Sequence, residues 1–154
     1  MIMYTDLIKT MNDLVRVNND RAAGYDTAVA QTEDPGLKHI FQSMADQSRE
    51  YGFELNRHIK EVGGEEETDT SVAGDLYRTW MDMKADFTAN SDDSILASCE
   101  YGEDVTLKVY NMALTNDIEI PQNILDIITR QFGELKLSHD RIRKYRDLNK
   151  ELKK

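Results

Sequence analysis

Apolar residues recur every three or four positions along most of this chain, and few residues interrupt the pattern. Such spacing places side chains on one face of an α-helix. The 154 residues include only 2 prolines and 8 glycines, so the helices can be long. No useful stretch alternates apolar and polar residues with the period of two that a half-buried β-strand requires. The sequence therefore predicts an all-α fold.

The first half of the chain predicts a helical hairpin. Its first helix begins at Thr5 or Asp6, where a capping side chain is available, and runs to about Thr32. Its second helix begins at Pro35, a residue that suits the first turn of a helix, and ends at residues 62–64. A connection this short makes the two helices antiparallel neighbours.

The second half predicts another hairpin, which is reached through a long crossover. The acidic stretch at residues 65–70 is interpreted as a solvated loop, and residues 71–89 as a short amphipathic helix. Residues 94–117 form the third long helix, and Pro121 opens the fourth. Together these elements predict a four-helix bundle with a long crossover that contains a short extra helix.

The composition limits the number of domains and excludes several partners. A chain of 154 residues fits a single domain, residues 1–154. The formal net charge of -10 argues against a nucleic-acid partner and against anionic membranes, since both need a basic face. No apolar run approaches the length of a membrane span. The one cysteine, Cys99, falls on an apolar stripe and is predicted to be a buried free thiol in a reduced, cytoplasmic compartment.

Two of the predicted helices carry a polar residue in the middle of an apolar stripe. Asn18 lies seven residues before Tyr25 on the first helix, and Glu103 lies seven residues before Tyr110 on the third. A carboxylate in such a place is costly unless another group pairs with it. The Tyr-x-x-Ala motif and a following proline recur in both halves, which indicates a weak internal duplication. The sequence thus predicts a polar core inside the bundle.

Five segments of the chain resemble the ferritin-like superfamily, specifically its rubrerythrin-type bundles. The resemblance is closest to a bacterial ferritin-like family known only as a domain of unknown function. The segments are residues 14–25, 44–55, 71–84, 99–110 and 138–147. This resemblance implies the same four-helix bundle with a crossover, and it implies no established activity.

Metal-binding members of that superfamily supply one glutamate from each of two helices and a Glu-x-x-His pair from each of the other two. The resemblance assigns these six positions, in chain order, to Asn18, Ser48, Tyr51, Glu103, Lys136 and His139. Two of the six expected ligands remain, Glu103 and His139. The resemblance therefore implies a degenerate di-iron site in which no metal or other cofactor is expected.

The polar core is expected to replace metal ligation with hydrogen bonds. A protonated lysine cannot ligate a divalent cation, so Lys136 is expected to form an internal ion pair with Glu103. Asn18, Tyr51 and His139 would satisfy the remaining donors and acceptors. On this hypothesis Glu103→Leu is tolerated better than Lys136→Leu, which would strand a buried carboxylate.

A shifted frame of the last helix would place Glu134 in the core instead of Lys136. Glu50 and Glu134 lie off the centres of their apolar faces and are interpreted as flank or surface residues. His58 lies four residues after Glu54 and is interpreted as half of a surface helix pair, and His39 as a solvent-facing residue.

Two functional hypotheses remain. The first is a non-enzymatic bundle with a structural, interaction or stress-related role, which self-associates through the helix at residues 71–89 as a homodimer. The alternative is a di-iron or mononuclear protein that handles iron or peroxide, with Glu103 and His139 as ligands and Glu50, Glu54 or Glu134 as weaker candidates. A hydrolase or transferase has little support, because the sequence contains no nucleophile–base signature and no phosphate-binding loop.

Overall fold

The structure is a computed structural model that describes residues 4–69 and 91–152. Within these residues the chain forms four α-helices and no strand. The helices are α1 (Thr5–Gln31), α2 (Pro35–Glu61), α3 (Asp92–Thr115) and α4 (Gln122–Leu152). The predicted all-α class is confirmed, and the predicted bounds of the four long helices are confirmed to within three residues. The predicted cap at Thr5 or Asp6 is wrong, because Tyr4 is the residue before α1 and makes no side-chain capping hydrogen bond. The short helix predicted at residues 71–89 lies outside the described residues.

Local chemistry explains where two of the helices begin. The carboxylate of Asp34 accepts hydrogen bonds from the backbone N–H groups of Gly36 (2.8 Å) and Leu37 (3.1 Å), and Pro35 occupies the first turn of α2. Ser91 caps α3 by accepting a hydrogen bond from the N–H of Ser94 at 3.2 Å. These contacts satisfy N–H groups that have no partner inside the helix.

Three pairs of neighbouring helices pack closely against each other. Helix α1 packs against α2, α3 packs against α4, and α1 packs against α3. The Thr32 hydroxyl donates to Asp92, and Asn18 donates to Tyr110, so α1 and α3 run in opposite directions. Helices α2 and α4 touch at few points and leave a cleft of about 700 Å³ between them.

The predicted apolar stripes meet in one core. Cys99 is fully buried, as predicted, and so are both stripe tyrosines, Tyr25 and Tyr110. Other members of the core with at most 2% exposure are Leu7, Met11, Leu14, Val15, Val17, Phe41, Ala45, Leu55, Ile59, Ile95, Leu96, Ile124, Ile128, Leu135 and Ile142. Every long helix contributes to this core, so burial of apolar surface holds the bundle together.

The acidic connection after α2 is only partly solvated. Glu65 and Glu66 are exposed, as the charge run predicted. Glu67, however, contacts α1 and α2: its carboxylate pairs with Arg16, and its N–H and carbonyl bond the Asn56 side chain at 2.7 and 2.9 Å. The prediction of a solvated loop is therefore wrong at Glu67. Asn56 can hold a backbone N–H and C=O at once because its amide carries both a donor and an acceptor.

None of the helices in the described part of the chain combines the length and the apolar character that crossing a bilayer requires.

Candidate functional site

The predicted polar core exists, and its centre is an arginine–glutamate pair. Glu103 on α3 and Arg21 on α1 are both fully buried. The Glu103 Oε1 atom accepts hydrogen bonds from Arg21 Nε at 2.9 Å and Nη2 at 2.8 Å, and it accepts a third from the Tyr25 hydroxyl. The second oxygen, Oε2, has no hydrogen-bond partner among the residues that the structure describes.

The predicted pairing of Glu103 with Lys136 is wrong. Lys136 is exposed, and its Nζ atom lies 4.1 Å from the centroid of the Phe132 ring. The inward face of α4 is set by Leu135, Ser138 and His139, which are buried, so position 136 turns outward. Lys136→Leu was expected to leave the buried Glu103 carboxylate without a partner. That expectation is also wrong, because the carboxylate is paired with Arg21.

The Arg21 guanidinium also reaches a third helix. Its Nη1 atom donates to Ser48 Oγ at 2.8 Å and to the Met44 carbonyl at 3.2 Å, both on α2. One side chain on α1 therefore bonds both α2 and α3. The Ser48 hydroxyl donates in turn to Asn18 Oδ1 at 2.9 Å, so Asn18 and Ser48 both lie in the polar core, as predicted.

From Asn18 the hydrogen bonds continue toward the surface. Asn18 Nδ2 donates to the Tyr110 hydroxyl at 2.8 Å, which donates to Gln131 Oε1 at 2.7 Å. Gln131 Nε2 donates to Glu54 Oε1 at 2.8 Å, and Glu54 also pairs with the half-exposed Arg130. An unbroken series of hydrogen bonds thus connects Glu103, through Arg21 and Ser48, to the cleft between α2 and α4.

Tyr51 joins the Glu103 network only at its surface end, because Glu134 and Glu54 both bind Arg130. Its ring is buried, but its hydroxyl donates to Glu134 Oε1 at 2.7 Å, on the side of the cleft. Glu134 is itself exposed and lies 3.4 Å from Arg130, which confirms its interpretation as a flank residue. Glu50 is exposed and lines the same cleft. The structure therefore places Glu50, Glu54 and Glu134 together, but not with Glu103.

His139 is buried as predicted, but its bonds go elsewhere. Its Nε2 atom lies 2.6 Å from Asp104 Oδ1, and its Nδ1 atom lies 3.3 Å from Asp140 Oδ1. One possible ligand atom from each of Glu100, Asp104 and His139 lies within 4.8 Å of the others. Sequence reasoning missed this group, although Glu100 and Asp104 are four apart on α3.

The other two histidines differ in burial: His39 is exposed to solvent, whereas His58 is buried. His39 is exposed, as predicted. His58 is 7% exposed, and its Nδ1 atom lies 2.9 Å from Glu61 Oε2. The interpretation of His58 as a surface residue paired with Glu54 is therefore wrong, because its side chain is buried and contacts Glu61 instead.

Burial and the negative charge of Glu103 both favour the protonated forms of two neighbouring groups, the Tyr25 hydroxyl and the Cys99 thiol. Burial, followed by the Glu103 carboxylate, raises the pKa of the Tyr25 hydroxyl and of the Cys99 thiol well above their ordinary values. Burial alone lowers the pKa of Arg21, but Glu103 and the nearby tyrosines outweigh it, so the net pKa is raised. The centre is therefore a charged pair surrounded by neutral groups.

The residues around Glu103 do not fit the di-iron centre that the ferritin-like fold implies. Such a centre needs carboxylate and histidine donors from four helices. The Glu103 Oε1 atom already accepts three hydrogen bonds, two from Arg21 and one from Tyr25. The guanidinium 2.8 Å away is a fixed positive charge that repels a metal cation.

Arg21 itself was not predicted from the sequence. It lies three residues after Asn18 and four before Tyr25, which places it on the same face of α1 as both. That spacing is the signal that could have found it. An arginine on an apolar stripe is usually read as a residue whose charge extends to solvent, since fully buried arginines are rare.

Comparisons with known proteins agree with this fold. One solved structure, a mutant of Dps1 from Mycobacterium smegmatis, is similar to this chain with a TM-score of 0.78 and 15% identity. The match covers 92% of this chain and 95% of that one, and it shows a shared ferritin-like four-helix-bundle fold. No curated protein matches the chain. A family model described as "Domain of unknown function (DUF2383)" matches residues 6–116, more than half of the sequence, and the chain therefore belongs to the DUF2383 family.

Proposed function

We propose that this protein is a non-enzymatic, cytoplasmic ferritin-like bundle in which an internal guanidinium takes the place of a metal centre. The observation that carries the proposal is the position of Arg21. Its guanidinium donates both to Glu103 and to Ser48, at two of the six positions where the resemblance expects ligands. The protein then supplies its own cation, and its role is structural or depends on contacts with other protein chains.

The burial of this centre argues against catalysis there. Arg21, Glu103, Ser48 and Asn18 have 0% exposure, so a substrate could not touch them unless the helices separated. A buried ion pair contributes little net stability, because the loss of hydration offsets most of the attraction. Its better supported role is specificity: the pair is satisfied only when α1, α2 and α3 are in one register.

The proposal is tested by elemental analysis of protein from iron-supplemented cultures. We expect iron far below one atom per chain in the wild type, and no change in Glu103→Ala. Glu134→Ala, which removes an exposed carboxylate of the same type, is the matched control. Stoichiometric iron that Glu103→Ala loses and Glu134→Ala keeps would overturn the proposal.

A mononuclear metal protein is the second candidate, and one observation favours it. Glu100, Asp104 and His139 offer a nitrogen and carboxylate oxygens in one place, a donor set that suits several divalent ions. Against it, Glu100 already contacts two arginines, Arg146 and Arg143. Metal that is retained in Glu103→Ala and lost in His139→Ala would support this candidate.

Self-association is part of the proposed role. The predicted contact through residues 71–89 lies outside the described residues and stays a prediction. The net charge of -10 continues to argue against nucleic acid as the partner. A protein partner, including a second copy of the chain, fits the proposal best.

A further inference from the structure

Two large apolar side chains on the same side of the bundle are exposed to solvent. Phe53 on α2 is 74% exposed and Leu137 on α4 is 70% exposed. Both line the cleft of about 700 Å³ that separates α2 from α4. Single exposed apolar residues are ordinary, but two beside one cleft form a patch that can be buried by a partner.

The same cleft carries charges of both signs in equal number. Its ionisable side chains are Glu50, Glu54, Glu134, Arg57, Arg130 and Arg141. The face is therefore neutral in a chain whose net charge is -10. Glu54 and Glu134 bind Arg130, whereas Glu50, Arg57 and Arg141 have no ion-pair partner within residues 4–69 and 91–152.

We propose that the cleft between α2 and α4 is a contact surface for a second copy of this chain. A two-fold contact places the same face on both sides, so each copy offers free arginines to the partner's glutamate and a free glutamate to the partner's arginines. An acidic partner would satisfy only the arginines, and a basic partner only the glutamate. The exposed ring of Phe53 supplies an aromatic anchor, and the partner's cleft supplies the space for it.

The neutrality of the face matters because the rest of the surface opposes association. Two chains of charge -10 repel each other at low salt. A neutral face is where that repulsion is smallest, and the apolar side chains there gain from leaving water. The residues from Gln47 to Arg57 extend over about 16 Å of helix, so the contact is small and the dimer is of the weak, reversible class.

This inference deepens the proposed self-association by naming the face, and it is independent of whether the core holds metal. Sedimentation velocity of the full chain over a range of concentrations tests it. We expect a reversible monomer–dimer equilibrium in the wild type. Phe53→Glu and Leu137→Glu should each weaken the dimer by about tenfold or more, because each buries an unpaired charge at the contact.

Met112→Glu is the matched control. Met112 is 59% exposed on α3 and does not line the cleft, so this change should leave the dimerisation constant unaltered. Circular dichroism should show the same helix content in all three variants, since each replaced side chain already faces solvent.

Three outcomes would overturn the inference. They are a wild type that stays monomeric at the highest soluble concentration, a dimer that survives both cleft variants, and a dimer that Met112→Glu weakens equally. A dimer that survives the cleft variants but is lost when Trp80 is replaced by glutamate would assign the contact to residues 71–89. That result would overturn this face while leaving the proposed self-association intact.

Discussion

The hydroxyl of Tyr25 on α1 donates a hydrogen bond to the carboxylate of Glu103 on α3. The reciprocal pair is also present, since Tyr110 on α3 accepts a hydrogen bond from Asn18 on α1 at 2.8 Å. The inward polar residue of each helix therefore binds the tyrosine of the other helix: Glu103 of α3 binds Tyr25 of α1, and Asn18 of α1 binds Tyr110 of α3. The equal seven-residue spacing on α1 and α3 makes this exchange possible, because the two helices run in opposite directions.

Replacing Arg21 alone should be strongly destabilising. Arg21→Met leaves the buried Glu103 carboxylate without its counter-charge, and we expect a loss of about 3–5 kcal/mol in the free energy of unfolding. Arg21→Met combined with Glu103→Leu should recover most of that loss, since both charges are then absent. Lys136→Met, at an exposed site, should change stability by about 0.5 kcal/mol or less. Urea unfolding followed by circular dichroism measures all three, and a Lys136→Met cost equal to that of Arg21→Met would contradict the pairing.

Removing one hydroxyl from the network should also be costly. Tyr110→Phe takes away both the acceptor of Asn18 and the donor to Gln131, and we expect a loss of about 1–3 kcal/mol. Tyr101→Phe, at a half-buried position outside the network, is the control and should be nearly neutral. Equal costs for the two changes, measured by thermal or urea unfolding, would show that the network hydroxyl has no special contribution.

Stability should fall steeply in alkali. Burial raises the pKa of Tyr25, Tyr51, Tyr110 and Cys99 above their ordinary values, which are 10.0 for tyrosine and 9.0 for cysteine. Above those values the unfolded chain releases protons that the folded chain keeps, so rising pH favours unfolding. The stabilisation is complete below about pH 9, and each group that titrates only in the unfolded chain then removes about 1.4 kcal/mol per pH unit.

Tyrosinate absorbance recorded together with circular dichroism between pH 8 and pH 12 checks this behaviour. We expect the buried tyrosines to ionise only as the helices unfold, and Tyr25→Phe to make the fall in stability shallower. Ionisation of all the tyrosines before any loss of helix would refute the predicted pH dependence.

The Cys99 thiol should not react with thiol reagents in the folded protein. Its side chain has 0% exposure, and burial raises the pKa of the thiol, so little reactive thiolate forms. A thiol reagent should label no cysteine in native wild-type protein and one per chain in denaturant. Native Met112→Cys, which places a thiol at a 59% exposed position away from the cleft between α2 and α4, should label quickly and shows that the reagent is active. Rapid native labelling of Cys99 would mean that the core opens far more often than its packing indicates.

Local signals explain why so much of the fold could be predicted. The bounds of α1 to α4 follow from caps and breakers within a few residues, such as Asp34 and Ser91, and the buried stripes follow from helical spacing. Glu103 and Asn18 were predicted in the core for the same reason, because each lies in the middle of an apolar stripe. These features depend on neighbours in the sequence.

The partner of Glu103 could not be predicted in this way. Arg21 is 82 positions away in the sequence, and its helical spacing places it on the stripe of α1 without specifying which residue of another helix it binds. The resemblance assigns Lys136 to the core, but its outward direction depends on how α4 is rotated against the other three helices. Contacts between helices depend on packing angle and rotation, which periodicity alone does not specify.

The ion pair between Arg21 and Glu103 couples the stability of the two halves of the molecule. The arginine belongs to the hairpin of α1 and α2, and its carboxylate belongs to the hairpin of α3 and α4. Either hairpin made alone would have to bury a lone charge or expose its apolar stripe to water. We therefore expect neither hairpin to fold stably by itself, so that a truncated or cleaved chain is degraded by proteases instead of persisting as folded fragments.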